Sequence, residues 1–168
     1  ARAASQADHR CAAARGHPGP GGWGVIVERD RKITELGGRE AHTTNNRMEL
    51  TAAIKALEFL TPYSLLHTSI TLHTDSEYVM KGITEWIHKW QKKNWKTTNR
   101  KSVLNQDLWQ RLLELTNGKN IEWKYVAGHS GHSWNERADR IATDFADLPA
   151  DRQVASINLY NGPRDKYK

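Results

Sequence analysis

Apolar side chains at Trp23, Val25 and Val27 alternate with Gly24, Ile26 and Glu28, the two-residue period of a strand. The stretch before it, GHPGPGGWG from Gly16 to Gly24, is turn chemistry: Pro fixes and Gly frees the backbone where the chain reverses. A partner strand containing Ile33 and Leu36 runs toward Gly37-Gly38. The period then changes. After the cap-like cluster Thr43-Thr44-Asn45-Asn46, Leu50, Ile54, Leu57 and Leu60 recur at helical spacing until Pro62, predicting a helix from about Arg47 to Leu60. SITLHTD, Ser69 to Asp75, alternates again and predicts a strand, followed by helical stretches from about Ser76 to Lys93. Leu108, Trp109, Leu112 and Leu115 predict a helix over 107–115, and Ile121, Trp123 and Tyr125 a last strand. Trp134, Ala138, Ile141, Ala142 and Phe145 mark the inner face of a helix from about Ser133 to Leu148. Strands first, then helices alternating with strands, predict an α/β (α+β) domain with a mixed sheet flanked by helices. That domain spans 1–148, although 1–15 shows neither period, and Pro149 opens a polar tail over 149–168.

Composition narrows the classes. A chain of 168 residues with 38% hydrophobic content fits one domain with a real core, which excludes disorder and fibrous repeats. No apolar run reaches the ~18 residues of a membrane span, and the Ala/Arg/Gln-rich start lacks the apolar core of a secretory signal. A single cysteine, Cys11, excludes a disulfide framework and multi-cysteine zinc patterns, so a reducing cytoplasm is the default expectation; the sequence is silent on oligomeric state, for which a monomer is the default.

The net charge of +6 is concentrated. Lys81, Lys89, Lys92, Lys93, Lys96, Arg100 and Lys101 face only Glu85 in that stretch, an excess equal to that of the whole chain. Trp86, Trp90 and Trp95 lie among them. Cations interleaved with flat aromatics suit nucleic acid. The alternative is a solvated helix face whose tryptophans anchor the core.

Three carboxylates stand where rigid elements begin or end: Glu49 in the first turn of a helix, Asp75 at a strand end, Asp139 on the helix after GHSGH. Acids converging from several elements repel unless a cation neutralises them, and hard oxygen donors suit Mg²⁺ or Mn²⁺. Taken singly, Glu49 also suits a helix N-terminus and Asp75 a helix cap.

TTNNRMEL (Thr43–Leu50), TDSEYV with GITEWI (Thr74–Val79, Gly82–Ile87), DLWQRL (Asp107–Leu112) and GHSGHSWNERAD (Gly128–Asp139) together resemble bacterial type 1 ribonuclease H. The motifs run in order from about Gly16 to Leu148. The resemblance implies a ribonuclease H-like fold with a mixed five-stranded sheet. It implies an endonuclease that cleaves the RNA strand of RNA–DNA hybrids to 5′-phosphate and 3′-hydroxyl ends, using two divalent cations. Glu49, Asp75 and Asp139 match its metal ligands, and His129 its proton-transfer or product-release residue. Asn45, Asn46 and the GHPGPGG loop with His17 match contacts to the RNA strand in its minor groove. Thr44 and Asn105 match a pocket for a DNA-strand phosphate. Trp86 and Trp109 match the DNA-side channel, and the segment with Lys92, Lys93 and Lys96 matches the family's basic protrusion. The Gly-rich loop lacks the Gly-Lys-Ser/Thr ending of a P-loop. His129 and His132 lack the partners of a zinc site.

The pattern breaks at its beginning. The family carries a fourth acid five residues before the glycine matched by Gly16, and that position is Cys11, followed by Ala12 instead of Gly. A thiol is a soft, mostly protonated substitute for a hard-cation ligand. Asp8 lies three residues earlier, about 10 Å along a strand and on its opposite face. His17 replaces the usual asparagine. The resemblance therefore implies either an active nuclease or a hybrid-binding protein of the same fold with impaired catalysis.

Overall fold

A computed structural model describes residues 2–4, 19–63, 69–127, 133–149 and 157–163. The long hairpin follows from the alternating segment: β2 (Gly19–Arg29) pairs antiparallel with β3 (Lys32–Thr43) around Asp30 and Arg31, both at positive φ. In β2 the odd residues Trp23, Val25 and Val27 join one core cluster, while Ile26 joins a second with Ile33. Two faces are therefore buried, which a strand with apolar residues on both sides requires.

The central place in the sheet belongs to β1 (Arg2–Ala4), antiparallel to β2 and parallel to β4 (Ser69–Thr74), with Arg2 beside Ile26 and His73. β5 (Asn120–Tyr125) pairs parallel with β4. A further strand, β6 (Ile157–Pro163), pairs antiparallel with β3, so part of the expected polar tail is an edge strand. Among the described residues the mixed sheet thus has six strands where five are expected, in the order β5-β4-β1-β2-β3-β6. The tail's polar composition hid this strand, because an edge strand is held chiefly by backbone pairing.

Helix α1 (Asn45–Leu60) covers one face through Met48, Leu50, Ile54 and Leu57. On the other face lies a helix over Ser133–Ala146, which packs through Ala138, Ile141 and Phe145, with Trp134 half-buried beside them. It lies so close that a Cβ on Gly24 would stand 2.2 Å from the Ala138 carbonyl oxygen. The stretch predicted as helical after Ser76 is interrupted: α2 (Glu77–Lys81) passes through a π turn over Gly82–Trp86 into α3 (Ile87–Lys92). Trp109 on α4 (Gln106–Thr116) packs against this turn, its ring filling the space beside Gly82; a Cβ on that glycine would lie 1.9 Å from the ring. The helix over Ser133–Ala146 is α5. Among the described residues no helix is long and apolar enough to cross a membrane.

Candidate functional site

Parallel strands leave their carboxyl ends open as the place where a chain can present side chains, and Asp75 follows β4 there directly. Glu49 approaches Asp75 from α1 and Asn135 does so from α5, with Asp139 one turn further along α5. The Asn135 side-chain amide donates to Asp75 Oδ2 at 3.1 Å. Ser76 Oγ donates to Glu49 Oε2 and accepts the Val79 amide at 3.1 Å, so one hydroxyl caps α2 and holds Glu49. Burial pushes the Glu49 carboxyl above the usual carboxylate range; the Ser76 hydrogen bond opposes this, and the nearby Asp75 adds to it. Asp139 is only 7% exposed.

Two simpler readings of these acids fall away. Glu49 lies in the second turn of α1, which begins at Asn45 and has no acid in its first turn. Ser76, not Asp75, caps α2. Neither acid is explained by local helix chemistry.

The acids are hard oxygen donors, and a cation beside Glu49 and Asp75 would relieve the repulsion and burial that raise the Glu49 carboxyl. In kind, then, they suit Mg²⁺ or Mn²⁺. Among the described residues, Glu49, Asp75 and Asp139 included, no three acidic, histidine or cysteine side chains stand together as a group that could hold a metal ion. Cys11, His17 and His129 lie outside the described residues.

A second assembly lies where α1 and α4 begin. Thr44 caps α1 and Asn105 caps α4, yet neither side chain makes a capping bond. Asn105 sits at φ 57°, donates its amide to the Tyr78 hydroxyl at 3.2 Å, and accepts from Arg47 Nη1 at 3.4 Å. Arg47 also binds both carboxylate oxygens of Asp107, at 3.0 and 2.7 Å. The N-termini of α1 and α4 are thereby tied together, and each brings backbone N–H groups and the positive end of its dipole. Such a pairing favours an anion. Asn45 and Asn46 are exposed residues of the first turn of α1.

The basic segment combines both readings of its tryptophans. Trp86, Trp90 and Trp95 form a chain of ring contacts at 5.7 and 6.4 Å, and Trp90 and Trp95 pack on the core. Around them Lys89, Lys92, Lys93, Lys96, Arg100 and Lys101 are exposed, and none has an ion-pair partner among the described residues. Lys81, by contrast, pairs with Glu77 at 2.6 Å.

Trp109 differs from expectation. It has 0% exposure, so it presents no surface to a ligand. Its indole N–H donates to the Tyr78 hydroxyl at 3.1 Å and its ring lies 5.3 Å from that of Tyr78. Trp109 thus supports the floor beneath Trp86 and Asn105. Sequence reasoning misses Asn135, Ser76, Tyr78 and Arg47. Each lies inside one of the motifs quoted above, and only the contact across elements reveals its part.

The sequence matches the RNase H family profile over residues 10–147. It is 56% identical to a ribonuclease H of Cyanothece sp. over 135 residues, covering 80% of this chain and 84% of that one. It is 53% identical to a ribonuclease H of Halorhodospira halophila, covering 80% and 88%. Among solved structures, LC9-RNase H1, described as a type 1 RNase H with the type 2 active-site motif, superposes with a TM-score of 0.73 at 29% identity, over 94% of this chain and 77% of that one.

Proposed function

The chain belongs to the ribonuclease H family, and from that premise we propose that it is a metal-dependent endonuclease hydrolysing the RNA strand of RNA–DNA hybrids, leaving 5′-phosphate and 3′-hydroxyl ends. The observation that carries the reading is the meeting of Glu49, Asp75 and Asn135 at the end of β4, with Asp139 one turn further along α5.

Glu49, Asp75 and Asp139 would hold Mg²⁺ or Mn²⁺, two ions with substrate present, which when bound supply charge neutralisation at the scissile phosphate and an activated water. The chain's own residues do the positioning. Ser76 holds Glu49 and Asn135 holds Asp75, so neither carboxylate needs reorganisation when substrate arrives. Thr44 and Asn105, at the paired helix N-termini, bind a phosphate of the DNA strand. Asn45 and Asn46 face the RNA minor groove, where the 2′-hydroxyl distinguishes the strands. Trp86 lines the DNA side, and Lys92, Lys93 and Lys96 hold the backbone electrostatically. His17 contributes to the loop on the RNA side. His129 moves a proton or assists product release. A monomer in the cytoplasm fits this reading.

The test is cleavage of an end-labelled hybrid with Mg²⁺ or Mn²⁺, abolished in Asp75→Asn. Absence of cleavage with either metal overturns it for this chain. A second reading rests on Cys11 at the place of the family's fourth acid: a hybrid-binding protein with impaired catalysis. It requires salt-dependent binding without turnover, and cleavage regained when Cys11→Asp and Ala12→Gly are made together. Equal affinity for hybrid and duplex DNA in competition would instead mark generic nucleic-acid binding.

A further inference from the structure

Helix α5 carries two site residues, Asn135 and Asp139, and its distance from the sheet is set by the glycines beneath it. Distance does not fix roll. Its inner face is Ala138, Ile141, Ala142 and Phe145, apolar contacts that carry no directional preference even where Ile141 and Phe145 fill the space beside Gly37. A polar pair makes the constraint: Arg137 Nε and Nη2 donate to the two carboxylate oxygens of Glu35, both at 2.8 Å. The Glu35 side chain is 3% exposed, and it projects from β3 on the same face as its pairing partner Ile26.

Arg137 lies two residues from both Asn135 and Asp139, hence about 200° around the helix from each. The two contacts, Arg137 to β3 and Asn135 to Asp75 after β4, therefore grip opposite flanks of one helix. A bidentate guanidinium–carboxylate pair has a fixed plane, which makes the β3 grip directional.

We infer that Glu35 and Arg137 are positioning residues, which set the roll of α5 and thereby place Asn135 against Asp75 at the end of β4. The inference rests on the nuclease reading only for its effect on rate. The pair touches neither Glu49 nor Asp75. It acts through the helix, and its loss misplaces the site without removing any group from it.

The experiment replaces the pair by apolar side chains of similar size, Glu35→Leu with Arg137→Met, because removing one partner alone leaves a buried charge. The readouts are the melting temperature, the side-chain amide signal of Asn135 in ¹⁵N-labelled protein, and hybrid cleavage. The expected result is a folded protein with the Asn135 amide signal shifted and broadened, and kcat lowered about tenfold or more with KM unchanged. Glu35→Gln, which keeps one acceptor oxygen for Arg137, is expected to retain the Asn135 signal and most of the rate. An unmoved Asn135 signal in the folded double variant overturns the inference. Should the double variant fail to fold, loss of the Asn135 signal in Arg137→Lys, which gives up the fork geometry, supports it, and an unmoved signal overturns it. If the parent itself does not cleave, the nuclease reading fails, while the Asn135 signal still decides the role of the pair.

Discussion

The Ser76 hydroxyl joins Glu49 to the start of α2 through two hydrogen bonds. The Ser76 hydroxyl accepts the Val79 amide, starting α2, and donates its proton to Glu49 Oε2. A helix cap and a site carboxylate are thereby made interdependent, 27 residues apart in the chain. Ser76→Ala should lower unfolding stability by about 1 kcal/mol for the cap alone and reduce cleavage at saturating hybrid. Ser76→Thr keeps the hydroxyl and should restore both. Urea melts and steady-state rates of the two variants check this; an unchanged rate in Ser76→Ala shows that Glu49 holds its place without the bond.

Glu49 itself stands against stability. Its carboxyl titrates above the usual range because it is buried and faces Asp75. A carboxyl raised on folding favours the folded state in acid, and that contribution is lost as pH rises through the folded value. Glu49→Gln should therefore be more stable than the parent at pH 7 to 8, by roughly 1 kcal/mol, with the difference vanishing toward pH 3 to 4, while cleavage is lost. Thermal melts across that range test the sign.

Gly82 is under steric obligation. Any Cβ there would overlap the Trp109 ring, so Gly82→Ala must displace Trp109 or open the π turn. The expected cost is about 2 kcal/mol or more. Because Trp109 donates to Tyr78, which also receives Asn105, hybrid affinity should weaken as well. Intrinsic tryptophan fluorescence and hybrid titration report the two effects separately.

Exposed cations without ion-pair partners act through counterion release. Changing Lys92, Lys93 and Lys96 together to Gln should make log affinity for hybrid fall less steeply with log salt, the slope shrinking by about 2 to 3. Stability should stay within about 0.5 kcal/mol, as is usual for surface substitutions. An unchanged slope would place the backbone contacts elsewhere.

Much of the molecule is local physics and is therefore legible in the chain. The period of two in Trp23–Val27 and Ser69–Thr74, the helical period from Leu50 to Leu60 and the stop at Pro62 each depend on neighbours within one turn or one strand. The motifs around Glu49, Asp75 and Asp139 are likewise contiguous, so the family and its three acids are written in the sequence. What tertiary structure decided involves partners far apart. The brief alternation Ile157-Asn158-Leu159, set in a polar tail, does not say that the segment over 157–163 pairs with β3, since backbone groups make that contact. Nor does any motif say that Trp109 is wholly buried: its burial depends on Gly82, far back in the chain, and on the Tyr78 hydroxyl that takes its N–H. The same holds for Asn135 with Asp75, Arg137 with Glu35 and Arg47 with Asp107. A side chain's chemistry is fixed by its type, but which group it faces is fixed only when separate elements pack.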